Sequence, residues 1–195
     1  MPVGDRVRGL DSGDRMVRLM PDGFHRGAKI GSMAKHSAGT PATVALTKAK
    51  VAHTLHPYEH DAGNTHFGDE AVAATGQMPE RVFKTLLVSC QGSKERLGVA
   101  VVPVSTQLDL KAVASALGAK KAVMADPAEA EKVTGYVVGG ISPLGQKKKL
   151  PTVLDASAMV YPSIFVSGGR RGLQVELSPD DLVFLTQAKV ADIGR

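Results

Sequence analysis

Two apolar runs dominate the pattern along the chain. Arg81 to Cys90 carries Val82, Phe83, Leu86, Leu87 and Val88 around Lys84 and Thr85, and Leu97 to Val104 is apolar almost throughout. The polar stretch Gln91 to Glu95 separates them, so they read as two buried strands of a β-hairpin. Upstream, Thr40-Pro41 has the form of an N-cap followed by proline in the first turn, and predicts a helix running through His53. Leu55 to Glu59 reads as a short strand, placed at a sheet edge by Pro57. His60 to Gly68 is a loop, and Asp69 to Thr75 a short helix closed by Gly76.

Downstream, Asp109 to Leu117 reads as a helix with Gly118 just past its end, and Ala122 to Ala125 as a brief strand. Asp126-Pro127-Ala128-Glu129 has capping-box spacing for a helix that ends at Gly135. Thr152 to Asp155 and Ser163 to Val166 are further strands. Leu173 to Leu177 pairs with the latter across a Gly-Gly-Arg-Arg-Gly turn, and Ser178-Pro179 starts a last helix. Strands and short helices alternate without regular βαβ spacing. The expected class is α+β: a curved mixed sheet flanked by short helices, spanning residues 39–195 as one domain. Residues 1–38 lack sustained periodicity and read as a flexible leader, with Met33 a candidate natural start.

Composition narrows this picture little. Aromatic residues make up 4% and Trp is absent, so the core is aliphatic. No apolar run approaches the length of a membrane span, and the first residues lack a secretory apolar stretch. One Cys cannot form an internal disulfide, which fits a reducing cytoplasm. The net charge of +5 is uneven: residues 1–38 hold seven Lys and Arg against four Asp. The body is nearly balanced, so nucleic-acid binding has to rest on local clusters.

The stretch Tyr136 to Pro151 holds the first candidate chemistry. Gly139 and Gly140 follow a short apolar run, and Ile141, Ser142 and Pro143 come next. Adjacent glycines leave backbone N–H groups unobstructed, and successive N–H groups form a concavity suited to an oxyanion or phosphate. A plain tight loop with a basic end, Lys147 to Lys149, is the competing account. Lys84 interrupts an apolar strand, so its ammonium either reaches solvent or faces a lined cavity. His53, His56, His60 and His66 have metal-ligand composition without metal-ligand spacing, since Pro57 breaks any helix aligning them; no metal is expected. Cys90 reads as a small core residue. Lys120-Lys121, Lys147 to Lys149 and Arg170-Arg171 would grip a phosphate backbone if folding brought them round one mouth.

Several motifs together resemble a known family. They are Tyr58-Glu59-His60-Asp61, Asn64 to Glu70, Val82-Phe83-Lys84-Thr85-Leu86, Gln107 to Lys111, Ala116 to Lys121, Met124-Ala125-Asp126-Pro127, Thr134 to Leu150, and Val166 to Gly169 with Arg171-Gly172-Leu173. From about residue 40 onward the chain is similar to the YbaK/EbsC family of bacterial aminoacyl-tRNA deacylases, relatives of the editing domain inserted in prolyl-tRNA synthetases. The resemblance implies a barrel-like mixed sheet, hydrolysis of mischarged Cys-tRNA(Pro) with Cys-tRNA(Cys) as a second candidate, no cofactor, and prolyl-tRNA synthetase as partner. It puts Lys84 on the family's required lysine. Tyr58, Phe67, Thr85, Gly139, Gly140 and Ser167 fall on pocket positions, with Ile141 and Ser142 beside them in the same loop. It also implies that the substrate cysteine's own thiol can attack its carbonyl. Gln174 stands where relatives commonly carry Asp. That departure keeps open an alternative: a non-catalytic module that binds a tRNA end or a synthetase.

Overall fold

The computed structural model describes residues 39–195. The leader expected over residues 1–38 lies outside the described residues. In chain order the elements are α1 (Pro41–Ala49), β1 (Thr54–Pro57), α2 (Phe67–Thr75), β2 (Val82–Gln91), β3 (Leu97–Pro103), α3 (Leu110–Ala116), β4 (Lys121–Met124) and α4 (Pro127–Thr134). Then come β5 (Thr152–Asp155), a 3₁₀ turn (Ala156–Val160), β6 (Ile164–Ser167), β7 (Leu173–Leu177), α5 (Pro179–Thr186) and β8 (Lys189–Ala191).

The helix starts follow the capping chemistry. The Thr40, Asp109, Asp126 and Ser178 side chains each accept a bond from the first turn of their helix. Helix α1 is shorter than its apolar pattern suggests. It ends at Ala49 because Lys50 turns left-handed, at φ 56°, and Val51 to His53 then extend toward β1. The 3₁₀ turn and β8 carry no periodicity that would have announced them.

The eight strands form one mixed sheet in the order β1-β7-β6-β2-β3-β5-β8, and β4 pairs with β2 beside that path. The sheet is open, with β1 and β8 at its ends. Strand β3 is buried along its whole length. Its odd residues, Val99 and Val101, enter a core with Leu46, Leu87, Leu154, Ile164 and Leu182, under α1 and α5. Its even residues, Ala100 and Val102, face Val113 and Ala114 of α3. A third, smaller cluster joins Ala71 of α2 to Val82 and Phe165. Continuous apolar runs in β2 and β3 are thus the mark of strands covered on both faces.

The edge of β2 turned away from β3 is shared by two strands. β6 pairs in parallel with Val82 and Phe83, and β4 pairs antiparallel with Val88 to Gln91. Between them, Lys84 to Leu87 have no strand on that edge, although the Leu87 oxygen accepts from the Ala125 N–H. On the other edge the ladder with β3 is unbroken from Phe83 to Ser89.

The loop between α4 and β5 is anchored to the core by Tyr136. Its ring is buried and its hydroxyl donates to the Leu144 backbone oxygen at 2.7 Å. Burial pushes the phenol up to about 12. Tyr136→Phe should leave that oxygen without a donor and cost about 1–2 kcal/mol. Urea denaturation checks this, and an unchanged midpoint would show that the loop is held by other contacts.

Candidate active site

The gap on the β2 edge opens into a cavity of about 450 Å³. Its lining comes mainly from four places: Phe67, Gly68 and Asp69 at the start of α2; Phe83 to Leu87 of β2; Met124, Ala125 and Pro127 between β4 and α4; and Val138, Gly139 and Ile141 of the following loop. Ser167 at the end of β6 and Gln174 of β7 complete it. Of the residues singled out from sequence, Lys84, Gly139, Phe67, Thr85, Ile141 and Ser167 therefore meet around one space.

Lys84 is partly buried, and its ammonium donates to the backbone oxygens of Thr106, at 2.6 Å, and Val104, at 3.3 Å. Burial pulls its pKa down from the ordinary lysine value, and the nearby Asp69 carboxylate partly opposes this. Its carbonyl acceptors favour the protonated form. Gly68 brings the start of α2 close to Val104: a Cβ there would lie 3.0 Å from both Val104 methyls, which would have to give by a few tenths of an ångström.

The two loop glycines have different tasks. Gly139 has φ +85°, and a Cβ on it would strike the Phe67 ring at 2.6 Å. Gly140 gives room to the backbone of Arg170 and Arg171, 2.9 Å from where its Cβ would be. The Gly140 N–H donates to the Val137 oxygen at 2.9 Å, closing a tight turn, and Gly140 is not among the lining residues. An oxyanion concavity built from both amides is therefore not what the geometry offers. Among the described residues, the N–H groups of Gly139 and Ile141 have no protein acceptor, and both residues line the cavity.

Ser142 and Tyr58 also stand outside the lining. Ser142 is fully buried, with its Oγ accepting from the Leu144 N–H at 3.2 Å. Tyr58 packs against the small third core cluster and lies beside Gln174, and burial raises its pKa. Ser167 faces the cavity, and its Oγ accepts from the Gly169 N–H at 3.3 Å.

The Phe67 ring is held on several sides. The Arg171 guanidinium carbon lies 4.7 Å from its centroid, and the Arg171 Nε donates to the Val138 oxygen at 2.9 Å. The His60 ring is 5.8 Å away, and its Nδ1 meets Glu70 Oε2 at 2.7 Å. The four histidines go to separate tasks: His53 Nδ1 meets the Val51 oxygen, His56 pairs with Glu176, His60 with Glu70, and His66 sits at the start of α2. The basic clusters divide as well. Arg171 lies against Phe67, a lining residue, whereas Lys120 packs at Gly92 and Lys148 reaches Glu95 at 3.6 Å, at the far end of β2. They do not ring one mouth.

Two oxygens in the cavity wall are buried without a partner, Thr85 Oγ1 and Gln174 Oε1. In the sequence Gln174 stands out only because relatives commonly carry Asp there. Its alternation partner on β7, Val175, gives no hint that an amide is buried here. An unpaired buried hydroxyl costs free energy, and a methyl of the same shape does not. Thr85→Val should therefore leave the free protein equally stable or more stable by up to about 1 kcal/mol. A clear loss in thermal melt would show that the hydroxyl has a partner.

Residues 64–185 match the model of the aminoacyl-tRNA editing domain. EbsC of Enterococcus faecalis, described as a candidate Cys-tRNA(Pro)/Cys-tRNA(Cys) deacylase, is 42% identical over 137 residues, which are 70% of this chain and 82% of EbsC. The Ser/Thr-tRNA deacylase ProXp-y of Escherichia coli is 30% identical over 98 residues, 50% of this chain and 59% of that one. A crystal structure described as a candidate trans-editing enzyme for prolyl-tRNA synthetase superposes with a TM-score of 0.68 at 25% identity. It covers 80% of this chain and 95% of that one.

Proposed function

Because the chain belongs to the aminoacyl-tRNA editing domain family, we propose that it is a trans-acting deacylase that hydrolyses mischarged Cys-tRNA(Pro), with Cys-tRNA(Cys) as a second substrate. The observation that carries this reading is the meeting of Lys84 and Gly139 around one cavity, in a chain 42% identical to EbsC over most of its length. Prolyl-tRNA synthetase is the proposed partner and the cytoplasm the proposed compartment. Among the described residues no helix is long and apolar enough to cross a membrane.

An aminoacyl ester is already activated, so orientation and stabilisation of the developing oxyanion can carry much of the rate. In this reading the Gly139 and Ile141 N–H groups are the free donors for the ester carbonyl. Lys84 supplies a positive charge at the reacting carbonyl or at the phosphate of the terminal adenosine. Two of its three ammonium protons are directed at Thr106 and Val104, which leaves one for substrate. Attack on the carbonyl forms the tetrahedral intermediate, and its collapse expels the ribose hydroxyl. The nucleophile is water, which yields the free amino acid directly, or the substrate's own thiol, whose proton passes to the leaving ribose oxygen as a cyclic thioester forms that water then opens. A thiol route also explains selectivity, because a size filter alone discriminates one methylene weakly.

Gln174 supports one competing reading, a module that binds the aminoacylated end without turnover. A neutral amide replaces the expected carboxylate there, and its oxygen lacks a protein partner.

A deacylation time course on Cys-tRNA(Pro), Cys-tRNA(Cys), Ala-tRNA(Pro) and Ser-tRNA separates these readings. Lys84→Ala should lose hydrolysis by about 10²–10³-fold while keeping its thermal melt. Unchanged turnover in that variant would remove Lys84 from the mechanism, and no turnover in the parent with retained tRNA binding would favour the module.

A further inference from the structure

The Lys84 ammonium owes its shorter hydrogen bond to a peptide unit that is itself held from behind. The Thr106 oxygen that accepts from Nζ at 2.6 Å belongs to the Thr106–Gln107 peptide. The N–H of that same peptide donates to the Arg195 backbone oxygen at 3.0 Å. A trans peptide is planar, with its C=O and N–H pointing in opposite directions. Fixing the N–H from one side therefore aims the carbonyl toward the other.

The segment Ile193–Arg195 does this fixing through several bonds. The Arg195 N–H donates back to the Gln107 oxygen at 2.9 Å, and the Asp109 N–H donates to the Ile193 oxygen at 2.7 Å. Leu108 and Gly194 form a bridge between these pairs. The Ile193 side chain is fully buried in the α3-side core.

Asp155 holds the segment in turn. It ends β5 and is only 6% exposed. Its Oδ2 accepts from the Ile193 N–H at 2.9 Å and the Gly194 N–H at 2.7 Å, and its Oδ1 accepts from the Ser157 N–H at 3.0 Å. Burial pushes this carboxyl up, but the bonds from Ser157, Ile193 and Gly194 outweigh it and hold the pKa below the ordinary carboxylate range. It is thus a buried, fully engaged anion with no place in the cavity wall. Gly194 lies between the two ends of the relay. A Cβ on it would come 2.9 Å from Thr106 Oγ1 and 3.2 Å from Asp155 Oδ2.

We propose that Ile193–Arg195, locked by Asp155, is a strut that positions the Lys84 ammonium by fixing the Thr106–Gln107 peptide plane. Asp155 and Gly194 are positioning residues for the deacylation reaction, and neither touches the cavity. The inference rests on the reading of Lys84 given above. Asp69 and His66 are the other titratable groups lining the cavity with Lys84, and both are left in place by the test.

The test compares the parent, Lys84→Ala, Gly194→Ala and Asp155→Asn on Cys-tRNA(Pro), with kcat and KM resolved across pH and the thermal melt recorded. Gly194→Ala pushes on Thr106, and Asp155→Asn weakens the lock without changing its size. Loss of the Thr106 acceptor disfavours the protonated amine. Both variants should therefore lose about tenfold or more in kcat with KM little changed. Their loss of activity at high pH should set in about one pH unit lower than in the parent. The pKa of Lys84, followed by NMR of ¹³C-labelled lysine, should fall in parallel. A parent-like kcat and pH profile in both variants, with Lys84→Ala inactive, overturns the strut and leaves the deacylase reading standing. An active Lys84→Ala overturns the reading of Lys84 itself. Unfolding of both variants at the assay temperature also overturns the strut, since the segment would then serve the fold and not the lysine.

Discussion

The site depends on how β2 shares one of its edges. A ten-residue strand is too long for either short neighbour, so β6 takes its first two residues and β4 its last four. Of the four left over, Leu87 gives its backbone oxygen to the Ala125 N–H, and Lys84 to Leu86 line the open space at the centre of the strand. An unpaired strand edge inside a fold is normally a cost, because backbone polar groups lose their partners. Here the unbroken ladder to β3 holds the strand in place regardless. The gap becomes a cavity because α2 and the loop after α4 roof it over.

Close approach is what shapes that roof, and glycine permits it at three points. Gly68 brings α2 against Val104, Gly139 lies against the Phe67 ring, and Gly140 lies against the Arg170–Arg171 backbone. The result ties the Arg-rich turn between β6 and β7 to the loop after α4 through Phe67. A wall assembled this way leaves two oxygens, on Thr85 and Gln174, without protein partners.

Much of this was legible in the sequence, and the reasons differ between elements. The hairpin of β2 and β3 was visible because strands buried on both faces must be apolar throughout. Helix starts were visible because Thr40, Asp126 and Ser178 each precede a proline, and the caps formed as that order dictates. Lys84 stood out as a charge inside an apolar run, which a sheet tolerates only where space or partners await it. The tasks of the loop glycines were not legible. Sequence shows that two residues lack Cβ atoms, but not that Gly140 spares the Arg turn while its N–H closes a bend. The role of Ile193–Arg195 was invisible for a stronger reason. Its bonds to Gln107 and Asp109 are backbone to backbone across more than half of the described chain, and such pairing leaves no side-chain signature.

The central claim is that the scissile ester lies in the β2-edge gap, between the Lys84 ammonium and the loop that carries Gly139. A crystal structure with a cysteinyl-amide analogue of the tRNA's terminal adenosine, in which a stable amide replaces the ester, tests this most directly. The account predicts the analogue's carbonyl oxygen within hydrogen-bond reach of Lys84 Nζ or the Gly139 N–H, with its aminoacyl group inside the cavity. An analogue seated elsewhere on the protein, with the gap left to solvent, would contradict it.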